Sequence, residues 1–393
     1  MKRIPTLKKN MTIQTFHRNR FTWLAYLLLA FYGYFLNILG PITPFLKHEL
    51  NLSYTVSSLH FTAFAVGMLI VGFGGHILIQ RIGRQRALWL GAFGMSISAL
   101  ILITGQTAAL TIAASFCMGL VGSLILVIVP SALSDQHGAA RAVALSEGNV
   151  ISSLVSTAAP LMVGWTAGLP GGWRLALGAG AILPLLMRLG LGNTSLPQPA
   201  SPQKDSASAP LPILFWVYWV AIVLAVSVEF CMISWSADYF ENSLNMQRVN
   251  AAQSVSLFLA AMIIGRISVS RLVQRFSVHN VVIASIVLAS IGFALFWITN
   301  TPVVGLTGLF VMGLGVAGMY PLLLSLAIGM AHNNTTQASA RATLASGTAI
   351  LALPLVLGRL ADMAGIRQAY GVVGILLAGV FLIVLITRKK TAF

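Results

Sequence analysis

The chain has 393 residues and a net charge of +16, yet only 8% of its residues are charged and 57% are hydrophobic, with a mean hydropathy of +0.88. Soluble domains carry roughly 25% charged residues, so this composition cannot cover a water-facing surface and implies lipid as the main solvent. Twelve apolar runs, each near the about 20 residues needed to cross hydrocarbon, use up the length. The expected fold class is an all-α membrane protein of 12 transmembrane helices, with no room for a fused enzyme.

Residues 1–20 form a basic polar arm (Lys2, Arg3, Lys8, Lys9, Arg18, Arg20), expected to be disordered over its first dozen residues. Span 1 runs from about Phe21 to Pro44. It is too long for a signal-peptide core and lacks a small-residue cleavage site, so it reads as a retained span. It carries Tyr32, Tyr34 and Asn37, with a weak point at Gly40-Pro41. Span 2, about Tyr54 to Ile79, opens with His60 and holds several glycines suited to close helix approach. The stretch Gly74 to Arg86 reads as a short basic hinge before span 3 (about Ala87 to Ile103). Span 4 is about Leu110 to Leu133, with Asp135 at its end. Span 5 is about Ala142 to Trp165, with Glu147 in its first turns, and span 6 is about Trp173 to Leu191.

Residues 193–210 are rich in Pro and Ser and form a linker with no means of packing. It separates a first six-span unit (21–192) from a second (211–393). Span 7, about Leu211 to Tyr239, contains Glu229. Spans 8 to 12 follow at about Ala251 to Val273, Val281 to Ile298, Val304 to Met330, Ala340 to Leu360 and Tyr370 to Thr387, and Tyr320-Pro321 lies in span 10.

One register links the halves. At an offset of 194, Leu78-Ile79-Gln80-Arg81-Ile82 meets Leu272-Val273-Gln274-Arg275-Phe276, Phe116 to Leu120 meets Phe310 to Leu314, and Pro160 to Gly164 meets Pro354 to Gly358. Three matches in one gapless register mark parallel repeats about an axis along the membrane normal. Basic residues gather at the arm, at Arg81, Arg84 and Arg86, at Arg271 and Arg275, and at Arg388, Lys389 and Lys390. The alternate breaks are poorer, with Lys47 in the first, Arg174 in the fifth and Arg248 in the seventh. This bias puts both termini in the cytoplasm. It also accounts for the net charge without nucleic acid.

The hinge resembles motif A of the major facilitator superfamily (Gly-x-Leu-Ala-Asp-Arg-x-Gly-Arg-Arg). Here it stands as His76 to Gln85. Leu78, Arg81, Gly83 and Arg84 match, while His76 and Gln80 depart. The resemblance covers essentially the whole chain. It implies two six-helix bundles around a central cavity, a multi-pass cell-membrane location (an inner membrane) and secondary transport by alternating access. It also implies a cytoplasmic gate of Gln80, Arg81, Gly83, Arg84, Asp135 and Glu147, with Gln274 and Arg275 as the weaker copy. Asp135 is the expected partner of Arg84 or Arg81, and Arg141 or Arg341 that of Glu147. Gln80 replaces the family's Asp and forgoes a charge–dipole attraction to the start of span 11 of about 0.3–1 kcal/mol, which predicts a softer latch. The plainer reading is that these arginines only set topology.

Of the eight acids, Glu229 lies deepest in a span. A carboxylate there costs several kcal/mol unless it is paired, hydrated or protonated, which makes it the proton-coupling candidate; the plainer reading is a structural acid. Asp238 and Asp362 are expected to be wet, near outer span ends. Tyr32, Tyr34, Asn37, Trp235, Tyr239 and Tyr320 are cavity candidates for a small, weakly polar organic solute. Arg188 and Arg266 are placed towards the inner ends, which argues against anionic substrates. Glu229, Trp235, Tyr239 and Tyr320-Pro321 also resemble spans 7 and 10 of fucose–proton symporter-like members, though the acids of spans 1 and 4 are missing. Drug–proton antiporters carry an arginine in span 4, absent here.

A proton-coupled transporter is therefore the leading expectation. A multidrug or metabolite efflux antiporter or a facilitative uniporter stand as alternatives. A channel would show polar rings along a pore. A membrane enzyme would show acid–base or metal spacing. No cofactor, metal or ATP-binding loop is expected, and the chain is expected to act as a monomer.

Overall fold

A computed structural model describes residues 17–197, 211–330 and 335–390. The arm's first residues and positions 198–210 of the linker lie outside that range. The first half comprises α1 (Arg20–Glu49), α2 (Tyr54–Ile82), α3 (Arg84–Thr104), α4 (Ala108–His137), α5 (Arg141–Ala167) and α6 (Arg174–Leu191), with a 3-10 turn at Gly138–Ala140. The second comprises α7 (Ile213–Leu244), α8 (Arg248–Leu272), α9 (Val278–Ile298), α10 (Pro302–Gly329), α11 (Thr335–Ala364), the short α12 (Ile366–Ala369) and α13 (Gly371–Lys390). Counting α12 with α13, 12 helices among the described residues are long and apolar enough to cross a membrane. An even number of crossings leaves Arg20, where α1 starts, and Lys390, where α13 ends, on one side, here called the terminal face.

Apolar residues surround most helices, as a lipid solvent requires. Phe73, Ile97, Leu189, Ile213, Val303 and Ile375 are each more than half exposed on the outer wall. Inside each half, α2 and α3 pack on α4, and α8 and α9 pack on α10. The halves meet along α2–α11, α5–α8 and α1–α7.

The repeat seen in the sequence has a physical counterpart. A Cβ on Gly119 of α4 would stand 2.1 Å from Phe64 O of α2, and one on Gly313 of α10 would stand 2.7 Å from Phe258 O of α8. Both the glycines and the carbonyls they approach are 194 positions apart. With no hydrophobic force between helices in lipid, such close backbone contact supplies the packing energy.

One expectation is corrected. The break between spans 2 and 3, expected at about residues 80–86, is shorter still. Helix α2 continues to Ile82, and a single residue, Gly83 with φ +86°, turns the chain into α3. A left-handed φ is open to glycine without a Cβ clash, so one residue reverses the chain. Span 1 also runs further than its apolar length: α1 passes unbroken through Pro41 and Pro44 to Glu49.

Candidate functional site

A cavity of about 230 Å³ lies between the halves. The first half contributes Tyr32 and Asn37 from α1 and a row of hydroxyls, Ser152, Ser153, Ser156 and Thr157, from α5. The second contributes Glu229 from α7 and Met262 and Arg266 from α8. Glu229 sits midway along α7. Its Oε1 is 3.8 Å from Arg266 Nη2, and the two side chains are 17% and 46% exposed. Arg266 Nη1 also donates to Ser153 Oγ across the gap between the halves, at 3.3 Å. Asn37 Nδ2 donates to Gly33 O at 2.9 Å, and Tyr32 O–H points at Met68 Sδ, 3.6 Å away. The cavity thus offers a carboxylate, a guanidinium and hydroxyls to one small solute.

Arg266 stands towards the terminal-face end of α8, six residues before Leu272, as the sequence placed it, yet its side chain lines the cavity. It lies only about one turn from the level of Glu229, since α7 and α8 run antiparallel at 1.5 Å per residue. Three cavity candidates lie elsewhere. Tyr34 O–H donates to Ala176 O on α6 at 2.8 Å. Tyr239 O–H donates to Trp297 O at 3.1 Å and its ring stacks on Phe296. Trp235 Nε1 donates to Pro354 O at 3.1 Å, with its ring against Tyr54 and Phe61 of α2. Each has a polar tip tied to a carbonyl and a ring in packing, which turns it away from the cavity. Tyr320 is half-buried on α10 and is not among the residues lining this cavity.

Towards the face opposite the termini, the cavity is sealed. Leu36, Phe61, Phe64, Phe230, Ile233 and Ile350 close around a gap of only about 10 Å³. A Cβ on Gly40 would stand 2.1 Å from Ile233 O, so α1 and α7 touch backbone to backbone there. Above this seal Lys47 of α1 pairs with Asp238 of α7, and Asp238 is fully buried. Asp362 of α11 caps the start of α2, accepting from Tyr54 N and Thr55 N at 2.8 Å each. An acid at a helix N-terminus meets both unpaired N–H groups and the positive end of the dipole. Both acids were expected to be wet. Burial by the other half makes Asp238 a tie instead, whereas Asp362 is exposed as expected while its carboxylate holds the two backbone donors.

At the terminal face, the ion pairs among the described residues stay within the first half. Arg84 Nη1 donates to Asp135 Oδ2 at 2.5 Å and Nη2 to Ser131 Oγ at 2.9 Å. Arg81 and Gln80 are exposed, and Gln80 lines a larger cavity of about 690 Å³ with His76, Gly83 and the linker residues Leu196 and Pro197. Glu147 pairs with Arg18 (Nη2 to Oε1, 2.5 Å), and accepts from Tyr26 O–H, rather than meeting Arg141 or Arg341. The hydrogen bond and charge of Glu147 raise the pKa of Arg18. Gln274 and Arg275 are exposed in the turn after α8.

A model of the Major Facilitator Superfamily matches residues 24–332 and 254–392. The chain belongs to that superfamily. As a Major Facilitator Superfamily member it is a multi-pass membrane protein. It is 24% identical over 164 residues to an uncharacterized MFS-type transporter of Yersinia pestis, a stretch that is 41% of this chain and 43% of that relative. A bacterial homolog of the human lysosomal transporter Spinster, inward-facing and occupied, superposes with a TM-score of 0.81 at 12% identity, covering 94% of this chain and 96% of that one. The nucleoside transporter NupG gives 0.71 at 13%, covering 95% and 98%. The transporter FucP in its outward conformation gives 0.62 at 17%, covering 94% and 99%. At such identities these likenesses show the superfamily's fold.

Motif A carries one prediction. Gln80→Asp restores an acid at the end of α2 and is expected to shift the population about two- to fivefold towards closure at the terminal face, from a charge–dipole gain of about 0.3–1 kcal/mol. Spin-label distances across that face check it; an unchanged distribution contradicts it.

Proposed function

We propose that this transporter moves a small organic solute together with a proton, through one cavity between two rocking six-helix units (21–192 and 211–393). The observation that carries the reading is the Glu229–Arg266 pair facing the hydroxyl row of α5. When Glu229 is ionised it neutralises Arg266. When Glu229 takes a proton, the guanidinium is released to bind an acceptor group, a carboxylate above all, on the solute. Binding and protonation then favour one another. An anionic solute thus becomes the favoured substrate class, in place of the weakly polar one expected from the sequence. A volume of about 230 Å³ is below the about 300–1,000 Å³ of drug-sized sites, which favours a small metabolite over a multidrug role.

The basic bias of the terminal face supports a cytoplasmic position for both ends of the chain in a cell membrane. On that assignment the closed ties of Lys47, Asp238 and Asp362 lie outside, and the cavity faces the cytoplasm. The test uses protein reconstituted in liposomes holding a pH-sensitive dye, challenged with carboxylates, amines and sugars. A small carboxylate is expected to carry protons with it. Solute flux without proton movement would mean a uniporter, and proton movement opposite to the solute would mean an antiporter; either overturns symport.

A further inference from the structure

The geometry points to a second binding site, on the outer wall of the first half: a groove of about 490 Å³ along α3 that takes an anionic phospholipid. Its walls are Gln85, Arg86, Trp89, Leu90, Phe93 and, from the last turn of α6, Arg188. The groove shares no residue with the solute cavity.

Three observations fit this occupant. The first is charge. Arg86 and Arg188 stand at the end of the groove nearest the terminal face, and neither has an ion pair among the described residues. Arg188 lies over the Trp89 ring, 5.4 Å from its centre. Two guanidiniums lining one groove suit a phosphate, with its several acceptor oxygens.

The second is an unpaired donor. Trp89 is only 8% exposed, it lines the groove, and its indole N–H has no hydrogen-bond partner. The nitrogen is itself buried, and an N–H left unpaired in a dry site costs free energy. Trp89 stands five residues into α3, about 7–8 Å along it, a depth at which phosphate and ester oxygens of a lipid are found.

The third is the bed beyond the donor. Trp89 and Phe93 stack with centroids 5.6 Å apart. Leu90 and Ile97 are 44% and 58% exposed on the same helix. An acyl chain laid along them continues directly from a headgroup held by the arginines. The groove is thus polar at one end and apolar along the rest, matching one phospholipid molecule rather than a free anion or a detergent tail.

Native mass spectrometry of the detergent-solubilised protein tests this, with phosphatidylglycerol and phosphatidylcholine of identical chains. The expected result is at least a fivefold preference for phosphatidylglycerol, falling to near one in Arg86→Gln/Arg188→Gln and about threefold in Trp89→Phe. Arg20→Gln/Arg271→Gln removes the same charge elsewhere on the terminal face and is expected to leave the preference intact. Phosphatidylglycerol with brominated chains is expected to quench more fluorescence in the parent protein than in Trp89→Phe. Three outcomes overturn the site. One is equal binding of the two lipids. Another is an equal loss in both double variants, which means diffuse charge. The last is displacement by glycerol phosphate alone, which means an anion site without a lipid bed. A double variant that does not fold is replaced by the single Arg188→Gln, read by the same quenching difference.

Discussion

Glu229→Gln is expected to abolish uphill transport while sparing exchange. One proton moving down one pH unit supplies about 1.4 kcal/mol, enough to concentrate a solute about tenfold. The amide keeps the shape and hydrogen-bonding reach of the acid but cannot carry a proton. Accumulation driven by a pH gradient should therefore fall to a ratio of about one. Counterflow of labelled against unlabelled solute needs no net proton movement and should persist within a few-fold, which separates lost coupling from lost folding. An accumulation ratio still near ten in the variant would contradict the role of Glu229. The position of Arg266, 3.8 Å away, adds a companion expectation: Arg266→Gln weakens solute affinity in both assays, because it removes the group that recognises the solute rather than the one that carries the proton.

The second large effect is expected at the opposite face. Asp238 is fully buried and its carboxylate is shared by Lys47 and by Asn242, whose Nδ2 donates to Oδ2 at 3.1 Å. Removing one partner of a buried pair costs about 3–5 kcal/mol because the other charge is stranded; Lys47 remains 16% exposed, so the low end applies. The pair exists only when α1 and α7 are closed, so the cost falls on that state alone. About 3 kcal/mol shifts the balance on the order of a hundredfold towards opening at that face. Ser153→Cys, in a background free of Cys117 and Cys231, reports it through a membrane-impermeant thiol reagent. In the parent, labelling is expected from the terminal face; with Asp238→Asn added, it is expected from the opposite face. Lys47→Met/Asp238→Leu should restore the parent pattern, since no charge is then stranded. An identical pattern in all three would remove the pair from any account of gating.

Much of this architecture was legible in the sequence because membrane helices announce themselves. Length and hydropathy placed twelve spans, and a fixed offset linked the halves. The structure adds the reason for the offset in Gly119 over Phe64 O and Gly313 over Phe258 O. Glu229 stood out because an acid inside an apolar run has few explanations, and Arg84 with Asp135 followed from the motif. What stayed hidden depended on depth and direction. Arg266 stands where the sequence placed it along α8, but the reach of its side chain to Glu229 depends on packing between α7 and α8 that no pattern displays. Tyr34, Trp235 and Tyr239 have the right composition for a cavity, but each polar tip is tied to a backbone carbonyl that no sequence pattern displays. Asp238 looked wet because α7 extends further than its apolar run, to Leu244, and α1 covers it. Trp89 and Arg188 carried no signal until packing brought the end of α6 beside α3.

Spin-label pairs on the two faces test the idea of two halves rocking about one enclosed site most directly. One pair joins Gln136 to Arg271 at the terminal face, and the other joins Gln106 to Thr301 at the opposite face. Acidification with a saturating carboxylate solute, or Asp238→Asn, should shorten the first distance and lengthen the second together. If the two distances move in the same direction, or neither moves while solute is transported, the halves do not rock about a shared cavity.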